Sequence, residues 1–503
     1  MGKSITLLAN AVTGAVYNAT NEDKQIVQQI LSYHVYGYEK TTSYIMGSWD
    51  GTSSFFRWSN STFPAGFLYY LAANLKRRGY EINIVKKPLP PPLGKEHPVV
   101  GKYKEDPRYD YQYTTVDRLL KYGQIIAQCA TGSGKTHIAE LAFARINRPT
   151  LFITTRSILM YQMKERFEED FGIPVSVIGD GEFGLEGNRS KLGMFTVAMV
   201  QTLYSRLSGA DAHDRGEKRI LKEKIKRETE ELLKKFEFII LEEAHESSSN
   251  SYFDICNHCK NAFYRLALTA TPFMKENEES NMRLMAVSGA IGIKVTEKLL
   301  IDRGILARPY FKFIELQRRP KYLTRRTPWQ AAYRLGIVEN EERNRLIVQE
   351  AVRAVKHGLS VMCLANQINH GKILKKLMKE NGLKVDFIYG ADDAKERSVA
   401  LNRLKNREID VLIGSTILDV GVDVPAVGMV ILAGAGKTQV AIRQRIGRGL
   451  RAKKTGANVC FIVDFNDPFN IYLSNHANLR RRIIEKTDGF NEGIVSSFPY
   501  DNI

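Results

Sequence analysis

The run ATGSGKT, from Ala130 to Thr136, sets glycines, a lysine and a threonine at the spacing a nucleotide phosphate requires. It follows the apolar stretch QIIAQCA and precedes a helical pattern through HIAELAFARI, so successive amides would wrap an anion at a helix N-terminus. Thr131, Gly132, Ser133 and Gly134 form the turn, Lys135 neutralises charge, and the Thr136 hydroxyl serves a magnesium ion. The strict pattern has glycine six residues before the lysine, where this chain has Cys129. A second run, AGAGKT from Ala433 to Thr438, closes in the same three letters. Its strict-pattern glycine is replaced by the bulky Ile431, and arginine-dense QVAIRQRIGRGLR follows, so it reads as a turn that delivers those arginines. Hydrolysis also needs a carboxylate for the metal and a base for water. The apolar strand FEFIILEEAH supplies both at its end, with Glu242 facing the metal mostly through water and Glu243 activating the attacking water.

These residues need elements that hold them. After residue 100, short Val/Ile-rich runs alternate with helical patterns: QIIAQCA, TLFITT, VSVIG, MFTVAMV and FEFIILEEAH, then SVMCLAN, KVDFIYG, DVLIGST, GMVILAG and NVCFIVDF. Strand and helix in alternation predict parallel sheets covered on both faces. The Lys/Arg/Glu-rich stretch from Asp211 to Phe236 predicts a solvated helix or helical hairpin. The expected organisation is an α/β chain in four parts. An N-terminal accessory module spans 1–87, a Pro-rich semi-rigid linker 88–100, and two tandem parallel-sheet domains 101–312 and 313–503. In the N-terminal module, Asp50-Gly51 predicts a two-residue hairpin turn. Trp49, Phe55, Phe56, Arg57 and Trp58 either stack on unpaired bases or form the core of a small domain, and Lys76, Arg77 and Arg78 end a helix where they can grip phosphates.

Composition narrows the partners. A net charge of +18 over 503 residues favours polyanions, with nucleic acid foremost. No run is apolar enough to span a bilayer and no secretion signal opens the chain, so the sequence reads as soluble and cytoplasmic. Five scattered cysteines fit reduced thiols; Cys256-Asn-His-Cys259 lacks the second ligand cluster that a zinc site needs.

From residue 101 onward the motifs, in order, resemble those of a superfamily 2 helicase of the DExH type. RYDYQ, with Arg108 and Gln112, is similar to the adenine-reading segment; ATGSGKT to motif I; LEEAH to motif II; and Thr269 to Pro272 (TATP) to motif III. The family usually has Asp where Glu242 stands, so the resemblance requires the site to accommodate a longer side chain. TTRSILMYQM resembles motif Ia, which implies strand contacts by Thr155 and Arg156, and VAMVQTL implies the same for Gln201 and Thr202. GSTILDVGVDVP resembles motif V, implying a backbone contact by Thr416 and nucleotide contacts by Gly421 and Asp423. QRIGRGLR resembles motif VI, implying that Gln444 positions water while Arg448 and Arg451 reach the γ-phosphate as arginine fingers.

The resemblance implies two RecA-like domains, ATP and Mg2+ as cofactors, and stepping along nucleic acid. The N-terminal stretch YIMGSWDGTSSFF, with FPAGFLYYLAANLKRRGYEINI, is similar to the small domain of phage UvsW-type branch-migration helicases. That implies a monomer on branched or forked DNA or on RNA–DNA hybrids, in the cytoplasm of a phage-infected bacterium. Gln444 in place of the His common in DEAD-box RNA helicases also leans toward DNA. An RNA helicase, a nucleic-acid-binding scaffold with weak ATPase, and a restriction motor are the alternatives.

Overall fold

A computed structural model describes residues 3–101, 105–188, 191–211, 213–244, 250–273, 278–389, 394–414, 427–434, 446–447, 450, 452–453 and 456–500. The chain forms two compact units, Met1–Cys129 with Gly134–Val295, and Ala130–Ser133 with Thr296–Ile503.

The first unit begins with β1 (Ser4–Ala9), β2 (Thr13–Tyr17), α1 (Asn21–Ile30), β3 (Ser32–His34), β4 (Thr52–Ser54), β5 (Thr62–Pro64), α2 (Leu68–Arg77) and β6 (Glu81–Lys86). Four of the strands make a sheet in the order β5-β2-β1-β6, with β1 and β6 parallel. Thr20 and Asp23 cap α1 reciprocally, satisfying two amides that a helix start leaves open. Val27 and Ile30 of α1, and Leu68, Leu71 and Leu75 of α2, close with Ile5, Leu7 and Val16 into one core. Apolar residues spaced by three or four give each helix the single buried face this requires.

The expected Asp50-Gly51 hairpin does not form. β4 pairs antiparallel with β3, far upstream. Asp50 instead accepts from the Thr52 amide at 2.9 Å and hydroxyl at 2.7 Å, and Gly51 (φ +82°) lets the backbone pass so close to Tyr38 that a Cβ would lie 2.1 Å from its ring. The pair closes a local side-chain turn around an aromatic ring rather than a strand reversal.

The rest of this unit holds an eight-stranded sheet. Its strands are β7 (Gln124–Cys129), β8 (Thr150–Thr154), β9 (Val175–Gly179), β10 (Glu182–Gly184), β11 (Phe195–Met199), β12 (Phe238–Glu242), β13 (Tyr264–Thr269) and β14 (Ile291–Val295). The order is β10-β9-β11-β8-β12-β13-β7-β14, parallel except for β10 against β9. Every residue of β8, β9 and β13 is buried, as strands covered on both faces must be. The helices that matter below are α3 (Asp110–Tyr122), α4 (Lys135–Ile146), α5 (Ser157–Phe171), α6 (Val200–Ser208), α7 (Gly216–Leu233), α8 (Asn250–His258) and α9 (Glu278–Ser288).

The N-terminal module is fixed to this sheet domain. Gly66 approaches α9 so closely that a Cβ would meet the Met285 carbonyl at 2.1 Å. Ala286 joins the module's core, Phe55 meets Phe253 of α8 at 6.0 Å between centroids, and the His34 amide donates to Glu278 at 3.1 Å. Gln124 donates to the Ala11 carbonyl at 2.7 Å, and the Lys86 ammonium, whose pKa burial lowers to about 8, donates to the Tyr122 carbonyl at 2.6 Å. The Pro-rich stretch lies along the same domain. Leu93 and Gly94 amides donate to Ile146 and Arg145 carbonyls, while Tyr264, Arg148 and Tyr113 donate to the carbonyls of Pro90, Pro91 and Pro98. Prolines lack amides but keep carbonyls, so the segment is held as a strap by its acceptors.

The second unit contains β15 (Arg308–Glu315), β16 (Val361–Leu364), β17 (Val385–Ile388), β18 (Val411–Gly414), β19 (Met429–Ile431) and β20 (Val459–Asn466), all parallel, in the order β15-β20-β19-β16-β18-β17. Helices α10 (Trp329–Tyr333), α11 (Glu341–Lys356), α12 (Ile368–Glu380) and α13 (Ile471–Lys486) belong to it. The break between the units falls after Val295, ahead of the expected boundary at 312/313, because β15 pairs along its whole length with β20. The architecture is therefore a small α/β module followed by two tandem parallel-sheet domains.

Candidate nucleotide site and nucleic-acid track

β7 leaves the sheet at Cys129 and re-enters a helix at Lys135, six residues later in sequence. Gly132 (φ +89°) and Gly134 (φ +79°) take left-handed backbone, which side chains resist, and between them the buried Ser133 donates its amide to the Ala130 carbonyl at 3.1 Å. Gly134 is the N-cap of α4 and offers no side-chain oxygen, so the helix start is left to backbone amides facing an anion. Lys135 and Thr136 fill the first turn of α4. Cys129, at the position of the strict pattern's first glycine, is the fully buried last residue of β7.

The sheet order brings the carboxylates to this loop. After β7 the chain crosses through α4 to β8, and β13 and β12 fill the space between them, so the carboxyl end of β7 lies at a topological switch point. Gln128 of β7 pairs with Thr269, and Leu268 of the same strand pairs with Glu242 at the end of β12. Glu243 follows with φ +45°. A non-glycine residue held there costs about 1–3 kcal/mol, a strain that accumulates at working sites. Ala270 and Thr271 are buried, and the Thr271 amide donates to the Thr269 hydroxyl at 3.1 Å, fixing the turn that follows β13. The hydroxyl of Thr136 and the carboxylate of Glu242 are hard oxygen donors of the kind magnesium takes.

Gln112 is buried on α3, which packs against α4. Arg108 is exposed and held by Asp106, its Nε donating at 3.1 Å to each carboxylate oxygen.

On the other side of β12, β8 and β11 are neighbours whose ends coincide, Thr154 pairing with Met199. This brings Thr155 and Arg156, ahead of α5, beside Gln201 and Thr202 on α6, and Gln201 Nε2 donates to the Thr155 carbonyl at 3.2 Å. A groove of about 300 Å³ opens there, lined by Thr155, Gln201, Ser205 and the rings of Tyr204 and Tyr252. The tyrosines were not foreseen, although Tyr204 stands one helical turn after Gln201. Lys76, Arg77 and Arg78 are all exposed at the end of α2, and their side chains make no ion pair among the described residues. Of the neighbouring aromatics, Phe56 is buried, Phe55 packs on Phe67 and Phe253, and Trp58 is 39% exposed with its indole nitrogen bonded to Gln28.

In the second unit, Thr416, Gly421, Asp423, Gln444, Arg448 and Arg451 lie outside the described residues, as does Lys437 of the second glycine run. The start of that run is described. The Gly434 amide donates to the Leu364 carbonyl at 2.7 Å, and its own carbonyl accepts from the Tyr333 hydroxyl at 2.7 Å and from Asn366. All five cysteines are buried and none is in a disulfide; burial pushes Cys256 up to about 11 and Cys259 further, so both are neutral thiols of the core near Arg265.

Residues 106–274 match the family model for the Type III restriction enzyme res subunit, and residues 342–453 match the helicase conserved C-terminal domain. A protein of Sulfolobus islandicus filamentous virus with a provisional helicase name is 26% identical over 66% of this chain and 58% of its own length. A Saccharomyces cerevisiae relative is covered over 51% of its length, so the chain spans less than two thirds of both. The ATP-dependent DNA helicase UvsW of Enterobacteria phage T4 is 20% identical over 87% of this chain and 86% of its own. The solved structure of a Saccharomyces cerevisiae Dbp5 variant bound to RNA superposes with a TM-score of 0.50 at 16% identity, covering 78% of this chain and 90% of that one, which supports the tandem fold. Among the described residues no helix is long and apolar enough to cross a membrane. Matching two helicase-associated family models in series over more than half of its residues, the chain belongs with the superfamily 2 helicases and resembles the UvsW type.

Proposed function

We propose that the chain is an ATP-dependent DNA helicase or translocase that remodels branched DNA in phage recombination, repair or replication. Branch migration of four-way junctions, fork regression and unwinding of R-loops or D-loops are the reactions of this class. The adjacency of β7, β13 and β12 carries the reading, because it puts the glycine loop and two carboxylates at the carboxyl ends of neighbouring parallel strands. Amides of the 131–136 loop other than that of Ser133, which bonds Ala130, and the Lys135 ammonium hold the phosphates, Gln112 with Arg108 orients the base, and Glu243 takes the proton from the attacking water. Thr136 and Glu242 would hold magnesium, which when bound draws charge from the phosphates. The helicase resemblance assigns nucleotide contacts to Gly421 and Asp423, water positioning to Gln444 and γ-phosphate contacts to Arg448 and Arg451. Thr155, Arg156, Gln201, Thr202 and Thr416 contact the strand backbone as ATP binding and release alternate.

Branched DNA is favoured by the N-terminal module. It is seated on the first sheet domain through α9, so a junction arm gripped by Lys76, Arg77 and Arg78 would be held in fixed register with the motor. A relative named for DNA helicase activity points the same way. The protein acts as a monomer on DNA in the host cytoplasm. The test is ATP-dependent processing of matched substrates: a four-way DNA junction, a fork, a tailed DNA duplex and a tailed RNA duplex, with Lys135→Ala as control. Preference for junction and fork supports the reading. Preference for tailed RNA overturns it in favour of RNA remodelling.

A further inference from the structure

Between Glu315 and Glu339 the chain holds six basic residues and no acidic one. Five of them, Arg318, Arg319, Lys321, Arg325 and Arg326, fall in the single stretch RRPKYLTRR. All five are exposed, and their side chains make no ion pair among the described residues. In a protein interior or a salt-bridged surface such charges find carboxylates; here each is left to solvent.

The loop that displays them is nevertheless built. Leu323, at its centre, is buried with Ala332, Tyr333, Ile337 and Leu473 in a small core of its own. Asn470, fully buried, donates from Nδ2 to the carbonyls of Thr324 and Thr327 at 3.0 Å each, while its Oδ1 caps α13 by accepting from the Tyr472 amide at 3.0 Å. The Ile471 amide donates to the Arg325 carbonyl at 3.1 Å. Downstream, Tyr333 bonds Gly434, which ties the segment to the second glycine run.

Two aromatics accompany the cations. Tyr322 is 88% exposed and sits at φ +64°, backbone that a bulky residue adopts only under constraint from its neighbours. Its ring is therefore held out in water by an anchored loop, at an energetic cost that folding alone does not explain. Trp329 is 38% exposed and rests one side on His476, 4.6 Å between ring centroids.

The position is telling as well. The loop leaves the carboxyl end of β15, next to the carboxyl end of β20, where Glu315 pairs with Asn466. In a parallel sheet that is the end where ligands gather. The parallel strand β18 also has its carboxyl end, Gly414, at this end of the sheet.

We propose that residues 318–326 form a second nucleic-acid contact, on the second domain, which takes single-stranded DNA with phosphates on its arginines and a base on Tyr322. Fixed cations with an exposed ring are what an unpaired strand requires, and a duplex would leave the ring unused. The proposal rests on the helicase reading and extends it to a surface outside the family motifs.

The test uses the full chain and a labelled single-stranded oligodeoxynucleotide in a salt titration followed by anisotropy, with two variants. Arg325→Gln with Arg326→Gln should weaken binding and reduce the slope of log affinity against log salt by about 1.4, at about 0.7 per lost contact to a single strand. Tyr322→Ala should weaken binding about tenfold and leave the slope unchanged. Both should keep wild-type ATPase in the absence of DNA and wild-type thermal unfolding. Wild-type affinity and slope in both variants would overturn the proposal while leaving the helicase reading intact, and would leave an acidic protein as the partner to try next. Should the wild-type chain neither bind the oligonucleotide at low salt nor hydrolyse ATP faster with DNA, both readings fail together.

Discussion

Gly132 and Gly434 each stand three residues before the lysine of a Gly-Lys-Thr, and the fold uses them in opposite ways. Gly132 turns left-handed between a buried strand and a helix that starts without a side-chain cap, so backbone amides are available to a ligand. Gly434 is occupied by the fold. Its amide is given to β16 and its carbonyl accepts from Tyr333 and Asn366, and a Cβ there would lie 2.6 Å from the Asn366 amide. A phosphate cradle depends on amides that the protein itself does not need, and the letters of a motif do not record that. The first run is shaped to receive an anion; the described start of the second anchors its own domain and the segment that carries the basic loop.

Substitutions at the two runs should separate them. Lys135→Ala should abolish ATP turnover and spare DNA binding at moderate salt; retained turnover in a steady-state assay would move the active site elsewhere. Arg448→Ala should lower turnover by about a thousandfold while nucleotide still binds, in line with other arginine fingers. Normal turnover there would remove the second domain's motif VI from the chemistry. Gly434→Ala should act on stability rather than on nucleotide, costing about 1–3 kcal/mol in denaturant unfolding as the new methyl displaces Asn366. An unchanged midpoint would mean that the close packing around Gly434 is not maintained in solution. Lys437→Ala should have the smallest effect, less than about twofold in nucleotide affinity, and a large loss would restore the second run as a binding site.

Much of this was readable before any coordinates. β7, β8, β9, β11, β12 and β16 to β20 coincide with the apolar runs, because strands covered on both faces must be largely apolar, whereas β15 (RPYFKFIE), only partly buried, carries no such run. The glycine loop was legible for the same local reason, its chemistry being written in consecutive residues. Sheet order was not. That β13 and β12 lie between β7 and β8, so that Glu242 neighbours the glycine loop's own strand system, depends on pairings between residues far apart in sequence, such as Arg265 with Gln124 and Phe238 with Thr150. The left-handed turn at Glu243 is also invisible in a sequence, since glutamate carries no signal for it. Asp50-Gly51 misled because an aspartate can bond its own following backbone as readily as it can open a hairpin. Phe55 and Phe56, candidates for stacking, pack against other rings within the first unit, whereas Tyr322, which no motif marks, stands in solvent.

The most direct test of the contrast is the stoichiometry of a non-hydrolysable ATP analogue, measured by titration calorimetry with magnesium on the wild-type chain, Lys135→Ala and Lys437→Ala. One site per chain, lost in Lys135→Ala and kept in Lys437→Ala, is the predicted result. Two sites, or a single site that survives Lys135→Ala and disappears in Lys437→Ala, would contradict it.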